Sequence, residues 1–171
     1  MRILVATASR HGATTEIARA IATELASSGL EVEVREPDDE LSVERFDGVI
    51  LGSAVYMGRW LEPARRFAMR NGRRLGTRPT WLFSSGPIGD PPKPDGEPAD
   101  IGPLIDATAA RGHRIFAGRL DRRLLGLGER AIVGAMHVPD RDDRDWTEIR
   151  DWARDVAVRI RAAAPAVAVP Y

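Results

Sequence analysis

Apolar runs of strand length alternate with segments of helical period along the chain. Residues 2–7 (RILVAT) are almost continuously apolar, the pattern of a strand covered on both faces. Residues 14–28 place Ile17, Ala20, Ile21 and Leu25 on one face at helical spacing, and Gly29 stands where a C-terminal cap belongs. Residues 31–36 alternate Val32 and Val34 with charges, which suits a strand near a sheet edge. Residues 48–53 form a fully apolar strand, and Pro63 opens a helix carrying Ala64, Phe67 and Ala68. Residues 80–84 make a fourth strand. Residues 86–103 hold six of the 12 prolines and read as a long loop. A short helix over about 103–110, stopped by Gly112, leads to a fifth strand at 114–117 and an irregular stretch at 120–144. The last helix starts at Asp145, with Glu148 three residues on as in a capping box. Its buried face is Ile149, Trp152, Ala153, Val156 and Ile160. Residues 1–162 read as one domain and 163–171 as a flexible tail.

Five strands alternating with helices predict an α/β fold: a five-stranded parallel sheet, order 2-1-3-4-5, with helices on both faces. Such sheets bind ligands beyond the carboxyl ends of their strands, at the switch point between strands 1 and 3. The loops after Thr7, Ser53 and Ser84 therefore build one site.

Composition narrows the function. Lys plus Arg equals Asp plus Glu, 25 each, so there is no basic excess of the kind nucleic-acid binders carry. The same balance speaks against a shuttle that steers its docking with a field of one sign. There is no cysteine, which excludes disulfides, thiolate metal sites and cysteine nucleophiles, and no metal site is expected. The opening apolar run is too short for a signal-peptide core, and no run approaches the roughly 18 residues of a membrane span. The expectation is a cytoplasmic protein with at most peripheral membrane contact.

The first loop carries Ser9, Arg10, His11, Gly12, Ala13 and Thr14 into a helix. Unpaired N–H groups, the helix dipole and the hydroxyls of Ser9, Thr14 and Thr15 suit a phosphate, and Gly12 allows close backbone approach. The plainer alternative is a Ser/Thr helix cap. The Gly-Lys-Ser/Thr of a P-loop, the G-x-G-x-x-G of a dinucleotide fold and the acidic strand ends of a phosphotransfer receiver are all missing. The second loop carries Ser53, Ala54, Val55, Tyr56, Met57 and Gly58, then Trp60. It offers backbone groups and an aromatic or apolar slab for a flat heteroaromatic ring. Tyr56 reads as a ring contact, and Trp60 more readily as a packing residue. The third loop, with Ser84, Ser85, Gly86 and Pro87, is either the hydrogen-bonding edge for that ring or an ordinary turn.

At these loops the chain resembles the flavodoxin family, and more closely the branch that includes the menaquinone-dependent protoporphyrinogen IX dehydrogenases. The stretches concerned are ILVATASRHGATTEIA at 3–18, LGSAVYMG at 51–58, FAGRL at 116–120 and DWTEIRDWARDVA at 145–157. The resemblance implies a flavodoxin-like three-layer sandwich and noncovalent FMN, with phosphate at residues 9–14 and the ring against 54–58. It implies an FMN-dependent oxidoreductase acting on a small redox substrate, a porphyrinogen or a quinone, in which the flavin carries the chemistry. The alternative is an electron carrier that serves a redox partner protein and has no substrate of its own.

Two features depart from the family pattern. Arg10 and His11 bring charge into the phosphate loop, where each either meets the phosphate or faces solvent. Residues 121–138 are short beside the basic insertion of that branch. Leu120, Leu124 and Leu127 would share a helical face with Arg119, Arg122, Arg123 and Arg130 beside it. That segment either packs on the sheet edge or meets an apolar, acidic substrate or an anionic membrane surface. His113 reads as structural.

Overall fold

Fully apolar strands alternating with one-faced helices have a stable outcome, a sheet buried between two helical layers. The computed structural model describes residues 1–86, 96–124, 126 and 140–163. The strands are β1 (Arg2–Ala8), β2 (Glu31–Arg35), β3 (Gly48–Tyr56), β4 (Arg59–Trp60), β5 (Thr80–Ser85), β6 (His113–Phe116), β7 (Arg119–Leu120) and β8 (Arg141–Asp142). The helices are α1 (Ala13–Ser27), α2 (Glu62–Gly76), α3 (Ile101–Thr108) and α4 (Trp146–Ala162).

The main sheet runs β2-β1-β3-β5-β6, and these strands are mutually parallel. Counting parallel strands alone, this is the expected 2-1-3-4-5 order. One face buries Ile3, Val5, Ile50 and Phe83 against Ile17, Ile21 and Leu25 of α1 and Ile149, Val156 and Ile160 of α4. The other buries Leu4, Leu51 and Leu82 against Phe67 and Leu75 of α2 and Leu104 of α3. Adjacent residues thus serve opposite cores, which is why these strands are apolar throughout rather than alternating. β2 is the partly exposed edge strand.

Helix ends follow local chemistry. Gly29 closes α1 at φ 80°, its N–H donating to Ala26 O at 2.8 Å. Asp145 caps α4, its carboxylate accepting from the N–H groups of Thr147 (2.9 Å) and Glu148 (3.0 Å).

Several boundaries differ from the sequence reading. β3 does not stop at Ser53. It continues to Tyr56 and returns through β4, with Val55 opposite Trp60 and Tyr56 opposite Arg59. The turn residues Met57 (φ 49°) and Gly58 (φ 74°) both sit in the left-handed region that a two-residue hairpin requires. The usual Asn-Gly signal is replaced by Met-Gly, so this segment looked like a loop. α3 spans Ile101–Thr108 rather than 103–110, because its first bond runs from Leu104 N to Asp100 O and Ala109 turns left-handed at φ 47°. The stretch 120–144 is not wholly irregular: β7 and β8 pair antiparallel, Arg119 with Asp142 and Leu120 with Arg141. Leu120 is therefore a strand residue and Leu124 belongs to a 3₁₀ turn, Arg122–Leu124, so the two do not share a helical stripe. Trp152, expected in the core, is only partly buried. The central part of the proline-rich loop, Leu127 with most of its neighbours, and tail residues 164–171 lie outside the described residues.

Candidate functional site

The carboxyl ends of β1, β3 and β5 open on a cleft of about 300 Å³. The β1–α1 loop contributes Ser9, Arg10, His11, Ala13 and Thr14. The hairpin contributes Ala54, Val55, Tyr56 and Met57, and the end of β5 contributes Ser85 and Gly86. Eleven of the 16 sequence-selected residues thus meet at one place.

The remaining five are placed differently. Gly12 is the N-cap of α1 and sits within the loop at φ 82°. Ser53 is buried behind the hairpin, its hydroxyl accepting from Leu61 N at 2.9 Å and donating to Ala54 O at 2.8 Å. Ser84 is buried, with its hydroxyl bonded to Trp60 and His113. Gly58 lines a neighbouring hollow of about 220 Å³ with Glu97, Pro98 and Ile115. Pro87 lies outside the described residues.

Gly118, Arg119 and Leu120 complete the lining; the sequence reading offered Arg119 and Leu120 as one alternative for meeting a substrate but not among the cofactor residues, and did not name Gly118. Their only sequence signal is the FAGRL stretch, which carries no periodicity of its own.

The Ser/Thr run of the first loop is not used for capping. α1 has no side-chain N-cap, and its first intrahelical bond runs from Glu16 N to Gly12 O at 3.0 Å. The amides ahead of Glu16 have no helical carbonyl to reach, which leaves them available to an anion. A Cβ on Gly12 would meet nothing within 4 Å, so the space beside the turn is open. Thr7, at the root of the loop, has a buried hydroxyl with no hydrogen-bond partner. Across the cleft the Arg10 guanidinium lies over the Tyr56 ring, 4.7 Å from its centroid. Met57 is 98% exposed on its turn, so the hairpin presents an apolar side chain to whatever approaches the cleft.

A buried relay supports the floor. Trp60 is 3% exposed, and its indole N–H donates to Ser84 Oγ at 2.7 Å. Trp60 is therefore a packing residue, as its sequence context suggested. Ser84 Oγ lies 2.8 Å from His113 Nε2, and His113 Nδ1 lies 3.2 Å from Glu97 Oε1. The chain is satisfied when Ser84 donates to Nε2 and Nδ1–H donates to Glu97, which is neutral imidazole. Burial pushes the His113 pKa below 6.5, with Glu97 pulling the other way. The unfolded chain then binds a proton that the folded chain resists. Stability contributed at this site rises with pH between the depressed folded value and 6.5, and is lost on acidification through that window. Urea titrations across pH 5–7 should show this rise in the wild type and a flatter profile in His113→Gln. An unchanged slope would remove His113 as its source.

Residues 4–147 match the flavodoxin domain family, and the chain belongs to it. A flavodoxin from the domain Archaea superposes with a TM-score of 0.64 at 18% identity, covering 94% of this chain and 99% of that one. Oxidised flavodoxin 1 from Bacillus cereus superposes at 0.59 and 17%, covering 93% and 98%. These likenesses show the fold. In sequence, protoporphyrinogen IX dehydrogenase [quinone] of Escherichia coli (strain K12) is 28% identical over 86 residues, 49% of this chain and 48% of the relative. The chain thus spans about half the length of the curated relatives it matches. Family membership brings FMN as the cofactor. The residues present fit it: an uncapped helix start with hydroxyls and a left-handed glycine at one end of the cleft, and an apolar and aromatic wall at the other. Among the described residues, no helix is long and apolar enough to cross a membrane.

Proposed function

We propose that the chain is an FMN-dependent oxidoreductase acting on a small redox substrate of the quinone or porphyrinogen class. The observation that carries this reading is that Gly118, Arg119 and Leu120 add a fourth, largely apolar segment to the cleft formed by the three loops. Leu120 is buried there and Arg119 is held by Glu16 at 3.0 Å, so the segment is apolar with its charge compensated. The name of the Escherichia coli relative points the same way.

In this reading residues 9–14 hold the phosphate through first-turn amides and the hydroxyls of Ser9 and Thr14. Ala54, Val55, Tyr56, Met57 and Gly58 flank the ring, with Ser85 and Gly86 along its edge. Arg10, which lies over the Tyr56 ring in the cleft, would be the side-chain cation available to the phosphate. Bound FMN supplies the redox chemistry, accepting a hydride or two electrons, so no protein acid or base is assigned. The protein orients the ring and keeps water from its buried face.

Purified protein should be yellow and release a compound with the mass of FMN. After anaerobic reduction its flavin should be reoxidised by menadione, one quinone reduced to quinol per flavin, at a rate that saturates with quinone concentration. Reoxidation only by a redox protein, with no turnover of quinone or porphyrinogen, would hand the function to the carrier reading.

A further inference from the structure

Arg144 is the most deeply buried cation among the described residues, with its side chain 2% exposed. Its Nε and Nη2 grip the Asp142 carboxylate at 2.7 and 2.6 Å. Its Nη1 donates to Glu16 Oε2 at 2.8 Å and reaches Ala13 O at 3.3 Å. The guanidinium also lies 4.5 Å from the centre of the Trp146 ring. Asp142 holds the Arg144 pKa above its ordinary value, and Arg144 in turn lowers that of Asp142.

Glu16 makes this arrangement informative. It stands in the first turn of α1, where a carboxylate is favoured by the helix dipole. Beside a bound phosphate the same charge is a liability, because two anions would share one helix terminus. Arg119 holds Glu16 from one side at 3.0 Å and Arg144 holds it from the other at 2.8 Å. Ala13, whose carbonyl Arg144 also reaches, is the first residue of α1 and lines the cleft. Arg144 is not itself among the residues lining the cleft, so it acts through its neighbours.

We propose that Arg144 is a positioning residue for the phosphate end of the flavin site, drawing the Glu16 carboxylate aside and neutralising it so that the first turn of α1 accepts an anion. This rests on the FMN assignment and names the residues that make that site selective for a phosphorylated flavin. The arrangement also clamps the foot of the β7–β8 pair to the helix that carries the cradle, since Asp142 belongs to β8.

The test compares FMN with riboflavin, which has the same ring and ribityl chain but no phosphate. Affinities are measured by fluorescence quenching on apoprotein. Arg144→Gln should weaken FMN at least tenfold while changing riboflavin less than threefold. Glu16→Gln, a near-isosteric change that keeps the fold safe, should raise the FMN-to-riboflavin ratio about three- to tenfold. The double variant should return close to the wild-type ratio. If Arg144→Gln does not fold, the Glu16→Gln ratio still decides the matter. A ratio that stays constant in Glu16→Gln, or equal losses for both flavins in Arg144→Gln, would overturn the proposal. Wild-type protein that binds neither flavin would overturn the cofactor assignment itself, a result the variants cannot mimic.

Discussion

Gly52→Ala is expected to cost about 3 kcal/mol, the upper part of the usual range for overpacking a tight core. For a chain of this size, that is a fall in Tm of roughly 6–12 °C. Gly52 is in the middle of β3, opposite Phe83 of β5 in the parallel register. A Cβ added there would lie 2.1 Å from two atoms of the Phe83 ring and 2.6 Å from a third. The ring has no room to retreat. It is fully buried and packs at 6.1 Å against Phe116 and 6.3 Å against Trp152, centroid to centroid. The glycine is therefore required by close approach, not by backbone angle. Phe83→Leu removes the far part of the ring and should cost stability on its own by leaving a cavity. In the double variant the new methyl fills part of that cavity, so the combined loss should fall short of the sum by about 1–3 kcal/mol. Strict additivity in thermal and urea unfolding would show that β3 shifts instead and that the Phe83 ring is not the obstacle.

The same strand marks how far sequence patterning reaches. β1, β3 and β5 were legible because a strand covered on both faces must be apolar at every position, and such runs are rare outside a buried parallel sheet. Their order followed from connection rules, so the place of the cleft followed too. The first loop was legible for a different reason: small hydroxyl residues and a glycine ahead of a helix leave amides unsatisfied, and the chemistry is local. Elsewhere the deciding contacts are distant in sequence. Ser84 was chosen as a ring contact because it ends a strand, yet its partners are Trp60 and His113. Alternation puts Ser84 on the Leu82 face, but the partners it meets there come from β4 and β6, which no local pattern reveals. Gly118–Leu120 joins the site because β7 pairs with residues more than 20 positions later, and two-residue strands leave no period to read. Arg144 was invisible for the same reason, since a lone arginine in a run of charges shows nothing of the carboxylates around it.

Replacing Gly12 should separate binding from folding. At φ 82° a side chain on an L residue costs roughly 1–2 kcal/mol, less for Asn, which tolerates the left-handed region, and more for a β-branched residue. Nothing within 4 Å would obstruct the Cβ, so the cost is one of backbone conformation alone. No side-chain cap holds the turn, so in the variants' apoprotein the loop is expected to relax toward negative φ. Much of the strain is then met only when the first-turn amides must converge on the phosphate. The expected order of FMN affinity is Gly, then Asn, then Ala, then Val. Ala should lose about 5- to 30-fold, the equivalent of 1–2 kcal/mol, and Val more. Far-UV circular dichroism should be unchanged, and the Tm of the apoprotein should fall by only a few degrees. Calorimetric titration with FMN on the three variants reads the order directly. Should Val bind FMN as tightly as Gly, the left-handed turn is not what shapes the cradle, and the phosphate must be held by the hydroxyls of Ser9 and Thr14 instead.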